Sequence, residues 1–280
     1  MNELGSFLIT FRESLEAALV VGIILAYLIR SRQEKYNGFV YLGVAAGILA
    51  SIVAAILFSS IAGGFEGAAE EIFEGTTMLI AAFLITFMIF WLINQKQIAK
   101  ALEGKVQENI GKAYVFGIFL IVFLSVLREG IETVLFLGAA SFLGGGQYSI
   151  VGALAGIAAA IILGYLLFAQ MLKVDLKKVF LFTSIFLALF AAGLIANGIH
   201  ELQEANLIPV LKEEAWDINP PIGADGGYPL LHEKGAIGSI ARGLFGYNGN
   251  PSVLEVIGYF TYLIFIFWFL FRGRLKKAAA

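Results

Sequence analysis

Two short stretches carry the chemistry of this chain. Arg12-Glu13-Ser14-Leu15-Glu16 places an arginine and two glutamates inside an apolar run, and Arg128-Glu129-Gly130-Ile131-Glu132 repeats the pattern in another. On a helix, residues three and four apart share a face. Glu13 and Glu16 can therefore aim both carboxylates at one point, as can Glu129 and Glu132, while Arg12 can pair with Glu16 and Arg128 with Glu132. Carboxylate oxygens are hard ligands that suit hard cations. Four of them beside two arginines leave a pocket of net charge −2, which attracts a cation without overholding it. Two buried salt bridges pinning one helix to another would also use an arginine and a glutamate each. They would not use the second glutamate of each motif.

Further acids accompany the motifs. Glu66, Glu70, Glu71 and Glu74 open one apolar run, and His200-Glu201-Leu202-Gln203-Glu204 closes another. Glu71 and Glu74 repeat the Glu-x-x-Glu spacing. The helix dipole stabilises acids near an N-terminus, which accounts for the first group but not for Glu201 and Glu204 at a C-terminus. A relay that gathers cations at an entrance accounts for both. His200 on its own reads as a hydrogen-bonded structural residue rather than a ligand.

The elements that must position these residues are membrane helices. The chain is 280 residues long, 59% hydrophobic and 14% charged, with a mean hydropathy of +0.86. A soluble domain carries about 25% charged residues. There is no cysteine, so thiolate sites and disulfides are excluded, and two histidines cannot build an imidazole-rich metal centre. Met1 to Gly5 lack the basic start of a cleavable signal, so the first apolar run is expected to be retained. A spanning helix needs about 20 apolar residues. Seven segments qualify: 6–29, 38–62, 71–94, 113–139, 149–171, 179–203 and 253–271. A charge at mid-membrane depth costs roughly 2.5–3.5 kcal/mol, so the motif charges must pair or face a polar cavity.

Basic residues alternate in the loops. Fourteen fall on one side, three on the other, and the remaining two are Arg12 and Arg128. The positive-inside rule then predicts an outer N-terminus and a cytoplasmic C-terminus. Four acids share the basic side and thirteen lie on the outer side, giving net charges of +10 inside and −10 outside. A negative outer face concentrates cations near it.

The sequence also repeats. Spans one and four share the motif, and spans two and five share small residues, Gly43-Val44-Ala45-Ala46-Gly47 against Gly152-Ala153-Leu154-Ala155-Gly156. Because three is odd, the second unit inserts upside down. The predicted fold is all-α: seven transmembrane helices as two inverted three-helix repeats plus one helix, a common transporter plan with the substrate where the repeats meet. The units are 1–112 with a lysine-rich, helix-prone cytoplasmic linker over 95–112, then 113–205, a proline- and glycine-rich extracellular loop over 206–252, and 253–280 with a basic tail.

The doubled Arg-Glu-x-x-Glu motif, the seven spans and the outer Glu-x-x-Glu resemble the high-affinity iron permease family over essentially the whole chain. The resemblance implies iron import across the cell membrane. It implies Glu13, Glu16, Glu129 and Glu132 as the iron-contacting carboxylates, with Arg12 and Arg128 in support. It also implies an extracellular or periplasmic oxidase or iron-delivery protein as partner, because the chain holds no redox centre of its own. The residues between the glutamates, Ser-Leu in one copy and Gly-Ile in the other, read as free to vary.

The expected function is therefore a permease for Fe³⁺, or for Fe²⁺ oxidised at the outer face, with Glu66, Glu70, Glu71, Glu74, Glu201 and Glu204 collecting the ion. Its partners are the iron ion and the bilayer, with no nucleic acid and no permanently bound cofactor. Import of another hard cation such as Mn²⁺ or Mg²⁺ is the alternative within transport. A non-transporting assembly subunit is the alternative outside it. An intramembrane metal hydrolase lacks anchoring histidines near either motif, and no enzymatic activity is expected.

Overall fold

The computed structural model describes residues 3–94, 114–143, 149–168, 176–221, 228–233 and 235–278. Among these it is all-helical. In chain order the helices are α1 (Glu3–Arg30), a 3-10 turn (Glu34–Tyr36), α2 (Asn37–Ala62), α3 (Ala68–Asn94), α4 (Tyr114–Leu143), α5 (Ile150–Phe168), α6 (Leu176–Glu204), α7 (Ala236–Phe245) and α8 (Val253–Ala278). All five prolines lie outside the helices. That is the distribution expected when a missing N–H and a fixed φ would break an interior turn.

Among the described residues, four helices are long and apolar enough to cross a membrane: α2, α3, α5 and α6. α1 and α4 have the length, 28 and 30 residues, but each carries the three charges of its motif mid-helix. α2 and α5 turn Leu49, Ile56, Leu57, Val151, Leu154 and Ile161 outward, each more than half exposed. A water-facing surface would not tolerate such a continuous apolar face; lipid does. The chain is a multi-pass membrane protein. The expected linker helix over 95–112 lies outside the described residues.

The helices pair α1 with α5, α2 with α4, and α3 with α6, while α1 also meets α4 and α8 leans on α6. Exchanging α1 with α4, α2 with α5 and α3 with α6 maps these three pairings onto themselves. Glycines set the closest approaches. A Cβ on Gly152 or Gly156 would strike the carbonyls of Glu3 and Phe7 on α1, and one on Gly43 or Gly47 would strike those of Phe119 and Phe123 on α4. The step along the chain that carries Arg12 onto Arg128 also carries Glu3 onto Phe119 and Phe7 onto Phe123. The two pairs therefore share one register.

The main core gathers Ile9 of α1, Met78 to Ile89 of α3, Phe136 to Leu143 of α4, Leu187 to Leu194 of α6, and Tyr262 and Ile266 of α8. It brackets the motif helices and fixes their rotation. Gly156→Val is expected to destabilise the fold by about 1–3 kcal/mol or more, the usual range for overpacking, because its side chain would press on Thr10 and the α1 backbone. Thermal unfolding in detergent measures this, with Gly38→Ala as the control, since a Cβ there meets nothing within 4 Å.

The segment 206–252 is not loop throughout, as its composition predicts, because residues 236–245 form α7. Ten residues are too few to announce a span, and the surrounding glycines and prolines read as a loop.

Candidate metal site

The two motifs sit near the midpoints of α1 and α4, and the contact between those helices brings them together. Glu13, Glu16 and Glu129 each place one carboxylate oxygen so that the three lie within 4.8 Å of one another. Glu13 and Glu129 are 1% and 4% exposed. Carboxylate oxygens bind hard cations at roughly 2.0–2.6 Å, so two on opposite sides of an ion are about 4–5 Å apart. The three oxygens are at ligating separation. Glu132 stays outside this group and turns to Arg128 instead, its Oε1 3.5 Å from Arg128 Nε.

The arginines hold the carboxylates in place. Arg12 Nη1 donates to Glu13 Oε1 at 2.9 Å, and Arg12 Nη2 lies 2.7 Å from Glu16 Oε1 without the alignment of a hydrogen bond. Arg128 donates through Nε and Nη2 to Glu129 Oε1. That leaves Glu13 Oε2, Glu16 Oε1 and Glu129 Oε2 buried and without a hydrogen bond. Buried carboxylate oxygens are rarely left so. Here they offer lone pairs to which a cation can bind.

The motifs are spelled alike but set differently. The Arg12 side chain is fully enclosed, whereas the Arg128 side chain is 54% exposed. Met88 of α3 makes part of the difference, with its Sδ 2.6 Å from Arg12 Nη1. Nothing in the sequence marks Met88, since a thioether among apolar residues leaves no pattern. The residues between the glutamates are not free either. A Cβ on Gly130 would collide with Ser51 of α2, so the second motif needs glycine where the first carries Ser14.

The acids at the helix ends come together apart from this site. Gly75 of α3 and Gly198 of α6 face each other in backbone contact. Glu74, already one turn from Glu70 on α3, thereby comes within electrostatic range of Glu201, and Glu201 within range of Glu71. Glu66 and Glu204 are exposed. His200 is structural: its Nδ1 is 3.0 Å from Glu255 Oε1 on α8 and its Nε2 3.2 Å from Glu204. The tie to Glu255 was not legible, because 55 residues separate the two.

The profile described as Iron permease FTR1 family matches residues 3–276. A ferrous iron permease EfeU of Yersinia pestis is 35% identical over 261 residues, 92% of this chain and 89% of the relative. One from Escherichia coli O6:H1 is 34% identical over 263 residues, 92% and 91% of the two chains. No solved structure matches. With a family match over nearly its whole length, full-length relatives and a helical, membrane-spanning build, the chain belongs to the Iron permease FTR1 family.

Proposed function

We propose that the chain imports iron across the cell membrane by alternating access, with Glu13, Glu16 and Glu129 as the ligands at mid-depth. The observation that carries this reading is the convergence of three buried carboxylates from two helices, with oxygens left unsatisfied. Glu132, held by Arg128, supplies the fourth carboxylate as the ion shifts. The acids Glu66, Glu70, Glu71, Glu74, Glu201 and Glu204 collect the ion at the outer face, and Arg12 and Arg128 hold the ligand carboxylates in position. The units 1–112 and 113–205 act as two inverted three-helix repeats, a plan supported by the exchangeable helix pairings and the shared glycine register. The N-terminus lies outside and the C-terminus in the cytoplasm, following the basic residues of the loops.

The relatives are named for ferrous iron. An all-carboxylate site is better matched to the harder ferric ion. Both fit one route: Fe²⁺ arrives, an oxidase partner at the outer face passes one electron from it to dioxygen, and the resulting Fe³⁺ is carried. Purified protein in liposomes tests this by uptake of radioactive iron, with ascorbate present or absent and with Mn²⁺ or Mg²⁺ as competitor. Saturable iron uptake that an excess of Mn²⁺ or Mg²⁺ barely slows is expected. Manganese or magnesium moving in place of iron would make the chain an importer of those ions. No movement of any metal would make it an assembly subunit.

A further inference from the structure

The chain between α6 and α8 does not stay clear of the bundle. α6 ends at Glu204. Gly246, in the left-handed conformation that caps α7 (φ 67°), lies against Gly193. That is eleven residues back from the end of α6, about 16 Å along its axis at 1.5 Å per residue. Six residues further on, Ser252 Oγ meets Gln203 Oε1 at 2.8 Å, and Glu255 then meets His200. The segment therefore descends along α6 to the level of Gly193 and climbs back before α8 begins. Glycine on both sides permits it, since a Cβ on either would strike the other's backbone.

The lowest part of the descent packs on the helix that carries the first motif. Leu244, 9% exposed, lies with Gly5, Leu8 and Ile9 of α1 and with Phe186, Leu187 and Phe190 of α6. The Phe245 ring is 6.5 Å from that of Phe186. Ile9 precedes Glu13 by one helical turn, so Leu244 lies one turn to the N-terminal side of the carboxylates.

We propose that α7 and the returning chain to Ser252 are a re-entrant plug that forms the outer gate of the iron path. This rests on the uptake reading and the orientation proposed above. Ten residues cannot span a bilayer, and irregular backbone at membrane depth is tolerated only where protein buries it or it lines a cavity; here α6 and α1 pack on α7, and the returning chain borders a cavity it shares with α8. Glu255 latches the plug. Its Oε1 lies 3.0 Å from His200 Nδ1 and accepts the Ser252 N–H at 3.0 Å, and its Oε2 accepts Asn248 Nδ2 at 2.9 Å. A cavity of about 370 Å³, lined by Ala196, Trp216, Phe245, Tyr247, Glu255 and Tyr259 among others, borders the returning chain and gives it room to swing.

The chain has no cysteine, so introduced thiols report without background. The test joins Phe186→Cys to Phe245→Cys with a short bifunctional thiol reagent whose linker is reducible, in liposomes. A second pair, Leu8→Cys with Leu244→Cys, serves if the first does not fold. Cross-linking is expected to slow iron uptake at least ~10-fold, as locking a gating element does, and reductant to restore it. In the single variants, an impermeant maleimide should label Leu244→Cys, at a residue 9% exposed, from outside far more slowly than Leu211→Cys, at a residue 68% exposed. Unchanged uptake after cross-linking, with Glu129→Gln inactive in parallel, would overturn the gate and leave the uptake reading standing. Equal labelling of the two thiols would also overturn it. If the unmodified protein carries no iron, the uptake reading itself falls and takes the gate with it.

Discussion

Glutamine in place of Glu13 or Glu129 is expected to lower the initial rate of iron uptake by more than about 100-fold, since losing even an outer-sphere partner of a metal site costs ~10–100-fold. Glutamine keeps the volume of the side chain and one acceptor oxygen while removing the charge. The two residues come from different helices and lie in the group of three oxygens within 4.8 Å. Glu132→Gln should be milder, because Glu132 stands outside that group and faces Arg128. Initial rates in liposomes, normalised to protein inserted, measure all three. Uptake at the normal rate by Glu13→Gln or Glu129→Gln would remove the carboxylate site from the mechanism.

The second large effect is unequal loss of stability from the two arginines. Arg12→Met takes a fully enclosed guanidinium away from Glu13 and Glu16. Breaking a buried ion pair by removing one partner costs about 3–5 kcal/mol. Arg128→Met should cost less than Arg12→Met, because its side chain is 54% exposed and only its partner Glu129 is left buried without its guanidinium. Thermal unfolding in detergent compares the two. Arg12→Met combined with Glu13→Gln and Glu16→Gln should regain most of the loss, since it leaves no uncompensated charge. Equal losses from the two arginines would show that the different settings of the motifs do not persist in the folded protein.

The sequence made some of this legible and hid the rest for physical reasons. Charge inside an apolar run is costly, so Arg12 to Glu16 and Arg128 to Glu132 stand out at once. The small residues Gly43, Gly47, Gly152 and Gly156 announced close helix contacts, though not that their partners would be the motif helices. α7 escaped notice because ten residues among glycines and prolines look like a loop. The roles of Met88 and Gly130 depend on what approaches from α3 and α2, which local spacing cannot encode. The different exposure of Arg12 and Arg128 cannot be read from two motifs with the same spelling. Glu132 reads as the equal of Glu16 in sequence, yet only Glu16 joins the close group of oxygens.

The glycine contacts have a consequence for stiffness. Helices whose backbones touch cannot slide in small steps, because each Cα row is caught between carbonyls of its neighbour. α1 with α5, and α2 with α4, should therefore each move as one stiff jaw, with the give concentrated at the seam between α1 and α4. Glu13 and Glu16 belong to one jaw and Glu129 to the other. On the proposed reading, an ion bound by all three would act as a rivet across that seam, and its departure would set the jaws free.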